Sequence, residues 1–224
     1  MTPTDIIDSD APQIRTHVEQ ITSGLTDPVD RAVQLYLAVR DGIRYDPYAP
    51  FYLPEHYRAS YVLAAGRGFC VSKASLLCAF ARAGGIPARI GFATVVNHLA
   101  TRQLIEYLGS SRFVYHGYVD LFLEGKWVIC TPAFNRELCQ RHHVPPLDFN
   151  GRENSQFQSF NRDNEQFMEY VEYHGVYADV PLDKILPAWE AEYGKERVRK
   201  WIQGHEAGRR GKVKNFYDEE PLHI

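Results

Sequence analysis

The chain has 224 residues, 45% of them hydrophobic and 24% charged, with a formal net charge of −3. That composition belongs to an ordinary globular protein long enough to bury one substantial core, and the charge gives no general pull toward nucleic acid or an anionic membrane. Met1 to Asp10 holds three aspartates and no apolar run, and no stretch approaches the roughly 18 apolar residues that span a bilayer, so the expectation is a cytoplasmic protein without a membrane or nucleic-acid partner.

In chain order, Ile14, Val18 and Ile21 share one face of a short helix. Asp27-Pro28 is a helix start, an acceptor at the cap followed by proline at the first helical position. Val29, Ala32, Val33, Tyr36 and Leu37 then follow at amphipathic spacing as far as Gly42. From Ile43 to Tyr61, six tyrosine and phenylalanine rings alternate with Pro47, Pro50 and Pro54, which predicts an irregular aromatic loop that either packs down or walls a cleft.

Gly66-Arg67-Gly68-Phe69-Cys70 then turns into a nearly all-apolar helix over Val71–Ala83, ended by Gly84-Gly85 and Pro87. Cys70 falls at the start of that helix, where unpaired N–H groups and the dipole favour a thiolate; such cysteines have pKa values lowered from about 8.5 toward neutrality. Cys78, two turns deeper, reads as core, and all four cysteines (Cys70, Cys78, Cys130, Cys139) read as free thiols.

Ala88–Val96 is a predicted strand and Asn97–Leu108 a short helix. Phe113–Leu123 alternates as a strand with His116, Tyr118, Asp120 and Phe122 on one face, and Glu124-Gly125 turns it back into Lys126–Cys130. With a two-residue loop Leu123 pairs with Lys126 and His116 with Ala133, which makes Thr131 and Asn135 the diagonal neighbours of His116. Gln166–Gly175 fits a helix or a strand. Pro181–Ile202 is helical, with Trp189, Tyr193 and Trp201 in its pattern, and Gly204–Ile224 reads as a loosely held tail. Without repeats or linkers the chain is one domain over 1–224, with a motif-bearing core at about 27–150 and a helical C-terminal extension at about 151–224.

A thiol at a helix start and an imidazole on a following strand are the nucleophile and base of acyl-transfer chemistry, which also needs a third group to orient the imidazole. The combined pattern of Gly66-Arg-Gly-Phe-Cys70, Ala74, Leu76-Leu77, Arg82-Ala-Gly-Gly-Ile-Pro-Ala-Arg89 and His116-Gly-Tyr-Val-Asp-Leu-Phe-Leu-Glu-Gly-Lys-Trp127-Val resembles the transglutaminase-like superfamily, from about Val33 to Asn135. The resemblance implies an α+β fold with a papain-like core, the cysteine helix packed on an antiparallel sheet, Cys70 as nucleophile and His116 as base. Where the family usually places Asp-Pro, this chain has Thr131-Pro132, a hydroxyl without a charge. Asn135 is the alternative third residue, as in papain-like enzymes. Asp120 lies roughly 13 Å along the strand from His116, and Asp148 stays open. The backbone N–H of Cys70 is a natural oxyanion donor, with Tyr45 or Tyr61 as the second.

The function implied is a cysteine enzyme acting on amide or peptide bonds through a thiol acyl-enzyme, hydrolysis slightly ahead of amine transfer, on a peptide, amide or protein substrate. The alternative is a catalytically weak or inactive binding domain of the same fold. No cofactor is expected. One Cys139-x-x-His142, with His143 beside it, is poor zinc evidence, and Asn161, Asp163 and Glu165 alternate like a calcium loop but meet Gln166 where a glycine is needed. The basic residues Lys195, Arg197, Arg199, Lys200, Arg209, Arg210, Lys212 and Lys214 read as a solvated face.

Overall fold

The helix start at Asp27-Pro28 forms as the residues dictate: in the computed structural model, which describes residues 2–98, 100–157, 167–208 and 215–220, Asp27 Oδ1 accepts from the Val29 amide at 2.7 Å. The first two helices are α1 (Pro12–Ile21) and α2 (Pro28–Gly42), each burying the apolar face that its spacing defines. The aromatic segment that follows is more regular than its prolines suggest. Strand β1 (Arg44–Tyr45) pairs in parallel with β2 (Arg67–Gly68), and between them a 3-10 turn at Pro54–Tyr57 leads into α3 (Ala59–Ala65). So short a helix depends on tertiary packing, here through buried Ala59 and Val62, and leaves little periodicity to read.

Helix α4 (Cys70–Ala83) is the centre of the molecule, with every residue from Val71 to Arg82 buried. Its two buried basic side chains are satisfied: Lys73 Nζ donates to the Arg40 and Ile43 carbonyls at 2.9 and 2.5 Å, and Arg82 donates to the carbonyls of Ala88 and Ala178. Then come β3 (Ala88–Asn97), α5 (Arg102–Leu108), β4 (Arg112–Leu123), β5 (Lys126–Cys130), α6 (Arg136–Arg141), β6 (Met168–Tyr177), α7 (Leu182–Tyr193) and α8 (Lys195–Glu206). The four long strands form one antiparallel sheet in the order β5-β4-β3-β6. The architecture is α+β, with α4 laid on the sheet mainly against β4.

The hairpin register is the one a two-residue turn requires, Leu123 opposite Lys126 and Val119 opposite Cys130. Two elements differ from expectation. Within the segment Gln166–Gly175, undecided in sequence, Met168 onward belongs to edge strand β6, so the fourth strand of the core sheet comes from the region read as an extension. The single helix expected over Pro181–Ile202 is two, broken at Gly194, whose φ of 88° lies outside the helical region. Asn161, Asp163, Glu165 and Gln166, and Arg209, Arg210, Lys212 and Lys214, lie outside the described residues. No helix among the described residues is long and apolar enough to cross a membrane.

Helix and sheet approach closely at Gly117. A Cβ there would lie 2.9 Å from Val71 Cα, 3.2 Å from the Cys70 carbonyl oxygen and 3.3 Å from Ala74 Cβ, so only glycine lets β4 approach the first turn of α4 this closely. Gly117→Ala should therefore destabilise the protein by about 1–3 kcal/mol, the usual cost of overpacking. Chemical denaturation checks this, and an unchanged midpoint would mean that the helix start is not seated on the strand.

Candidate active site

Cys70, the first residue of α4, is half-buried, and Phe69 before it caps the helix in an extended conformation, its amide donating to Ser72 Oγ at 2.9 Å. The backbone amides of Gly117, Val71 and Cys70 itself stand at the sulfur. His116 is brought in by an irregularity in β4. Ala93 pairs with His116 but Val95 pairs with Phe113, so one extra residue is accommodated between them, and Tyr115 takes a φ of 58°. Such a bulge re-aims side chains. Its outcome here is that Phe113, Val114 and His116, which strict alternation would not place together, all line one cavity of about 70 Å³ with Cys70.

Burial governs the charge state of this pair. The Cys70 thiol is pushed up to about 11 by burial, against which the three backbone amides pull only part of the way down. His116 is pushed down to about 4, again by burial. The expected lowering of the thiol therefore does not occur: the helix-start amides are present, but the loss of solvent outweighs them. Near neutral pH the resting pair is a thiol and a neutral imidazole.

On its other side His116 rests against Phe157, ring centroids 5.7 Å apart, and its Nε2 is buried without a hydrogen-bond partner. Thr131 is 1% exposed, its carbonyl held by the Tyr36 hydroxyl at 3.1 Å, and its own hydroxyl makes no hydrogen bond among the described residues. The Tyr170 hydroxyl, reaching in from β6, lies against Thr131 and the Phe157 backbone and is likewise without a partner of normal geometry. Three unpaired buried polar groups thus belong to the region where the family has its carboxylate.

Asn135 has a different task. Its Oδ1 accepts from the Tyr45 amide and the Tyr217 hydroxyl, both at 2.7 Å, and its Nδ2 donates to the Arg40 and Ile43 carbonyls. All four positions of the amide are used, which leaves none for His116, because the chain turns away after β5 and enters α6 at Asn135. Asp120 pairs with Arg89 at 2.8 Å and Asp148 with Arg40 at 2.7 Å, so neither carboxylate serves the imidazole. Of the two candidate oxyanion tyrosines, Tyr45 lines the cavity and Tyr61 is 42% exposed elsewhere. All four cysteines are free, and no three His, Cys, Asp or Glu side chains among the described residues cluster to hold a metal.

The rest of the cavity wall is aromatic, and part of it comes from an unexpected place. Trp189 and Tyr193 of α7 and Trp201 of α8 line it together with Phe51, Phe69 and Tyr107, Trp189 touching the Phe51 and Phe69 rings and Trp201 the Tyr107 ring. The i, i+4 spacing of Trp189 and Tyr193 was a visible sign of an aromatic helix face, though nothing local says what that face covers.

The model of the transglutaminase-like superfamily matches residues 15–132, just over half of the chain. The chain belongs to that superfamily. Among solved structures, one similar chain is a proposed cysteine protease from Cytophaga hutchinsonii, 16% identical, with a TM-score of 0.45, covering 58% of this chain and 39% of its own. Another is a proposed protease from Parabacteroides distasonis, 16% identical, with a TM-score of 0.37, covering 52% of this chain and 22% of its own. This chain thus spans well under half the length of either. A search of curated proteins found no match.

The depressed imidazole makes a test of burial. His116 takes up a proton near its ordinary 6.5 when unfolded but only near 4 when folded. Its contribution to stability is complete above pH 6.5 and is lost as pH falls through the window to 4, about 3 kcal/mol in all. His116→Gln should lose less stability than the wild type between pH 7 and pH 4, by urea denaturation; parallel losses would show that the imidazole is not buried neutral.

Proposed function

We propose that the protein is a cysteine acyl-transfer enzyme that opens amide or peptide bonds through a thioester on Cys70, with water as the favoured acceptor. The observation that carries this reading is that a thiol at a helix start, an imidazole and three backbone amides meet at one cavity. As sulfur attacks the carbonyl carbon, neutral His116 accepts the thiol proton, and the oxygen that gains charge is met by N–H groups at the helix start. The C–N bond then breaks, His116 returns the proton to the departing nitrogen, and the acyl group stays on sulfur. Water, giving its proton to His116, releases the acid and restores the thiol.

Two features bear on rate and acceptor. Without a carboxylate at Thr131 the imidazolium formed during attack is supported only by neutral groups, and loss of an orienting carboxylate costs up to about 10⁴-fold in a serine-triad enzyme. Slow turnover is the consequence, and it accommodates the alternative of a weakly active binding domain. Among the described residues no acidic side chain lines the cavity to receive a lysine ammonium, which favours water over a charged amine.

An activated ester such as p-nitrophenyl acetate tests the reading, because it bypasses the difficult departure of an amine. A burst of about one equivalent of p-nitrophenol should accompany one acetyl group on the Cys70 peptide by mass spectrometry, absent in Cys70→Ala and slowed at least about 100-fold in His116→Ala. Acetylation spread over several nucleophiles, with no burst, would contradict it.

A further inference from the structure

We infer that the α7–α8 hairpin, which lies wholly beyond the family-matched segment, closes the Cys70 cavity into a size-limited pocket for short, uncharged acyl groups of about two to four carbons, in proportion to the roughly 150 Å³ that a benzene-binding cavity provides. The inference rests on the reading of Cys70 as the acyl acceptor for its chemistry, but the shape and polarity of the pocket are independent of that reading.

Size is the first argument. The cavity is about 70 Å³, and part of its wall is built by Trp189, Tyr193 and Trp201. That wall is fastened and does not hang free. Trp189 Nε1 donates to the Val114 carbonyl at 2.8 Å, and the Tyr193 hydroxyl accepts from the Val114 amide and donates to the Arg112 carbonyl, both at 3.1 Å. Trp201 stacks on Tyr107 at 4.7 Å with ring planes 17° apart, and Arg197 donates to the Glu106 and Tyr107 carbonyls at the end of α5. Hydrogen bonds at both helices hold the rings in place, so the pocket does not enlarge by swinging one element aside.

Polarity is the second. Among the described residues, no Asp, Glu, Lys or Arg lines the cavity. A substrate carboxylate carried inside would lose its water and find no cation, which is costly, whereas each methylene that fills apolar space gains about fourfold in binding. The pocket therefore selects for acyl chains that fill its volume and against those that carry charge or exceed it. Trp189 and Trp201 are the residues that set the limit.

The test has two arms. In Cys70→Ala, which cannot react, tryptophan fluorescence reports binding, since two of the chain's three tryptophans line the pocket; butyramide should bind at least about tenfold tighter than benzamide or succinamate. In the wild type, p-nitrophenyl acetate, butyrate, octanoate and hemisuccinate should give kcat/KM rising from acetate to butyrate and falling at least about tenfold for octanoate and hemisuccinate. Trp189→Ala should move the optimum to octanoate, and Trp201→Leu serves the same purpose if the first variant does not fold. Binding in the stated order without ester turnover would leave the pocket standing and remove the thiol chemistry. Turnover indifferent to length and charge, or an order unchanged in both tryptophan variants, would overturn the pocket.

Discussion

The contact on which the rest depends is the seating of β4 on the first turn of α4 at Gly117. Because no Cβ intervenes, the strand comes near enough for the Gly117 amide to reach the Cys70 sulfur, and the residue before it, His116, arrives at the same cavity. The bulge that holds Tyr115 at positive φ then lets Phe113, Val114 and His116 all line the cavity. A single close approach thus positions both the proposed nucleophile and the proposed base at the pocket.

The start of α4 is held from behind as firmly as from the strand side. Lys73, one turn after Cys70, and Asn135, at the start of α6, both donate to the Arg40 and Ile43 carbonyls at the end of α2. Arg40, fully buried, is in turn tied to Asp41 and Asp148. This bracket uses polar groups where a chemist reading the sequence would look for catalysis. Its depth has an electrostatic price: the same burial that fixes the geometry favours the uncharged thiol and imidazole, so the proposed chemistry would rely on proton transfer during attack and not on a standing ion pair.

Much of this was legible locally. Glycines before Cys70 and an apolar run after it define α4, alternation defines β4, and a two-residue turn defines the hairpin register, because each of these signals lies within a few residues of its effect. What escaped depends on distant partners. Asn135 is by its spacing an expected diagonal neighbour of His116, yet the ladder ends at Cys130 and α2 carbonyls some ninety positions earlier claim its amide. The pattern of Trp189, Tyr193 and Trp201 marks helices, but which surface they cover is decided by hydrogen bonds to β4 and α5. The dipole at a helix start is a property of the motif, whereas the burial that overrides it belongs to the whole fold.

The central claim, that packing at the helix start leaves a neutral thiol beside a neutral imidazole, is tested most directly by NMR titration of the His116 ring in the wild type and in Cys70→Ser. The account expects a pKa near 4 in both proteins, since burial and not the sulfur's charge sets it. A wild-type value above 7 that drops by two or more units (roughly 3 kcal/mol) in Cys70→Ser would show a thiolate–imidazolium pair and contradict it.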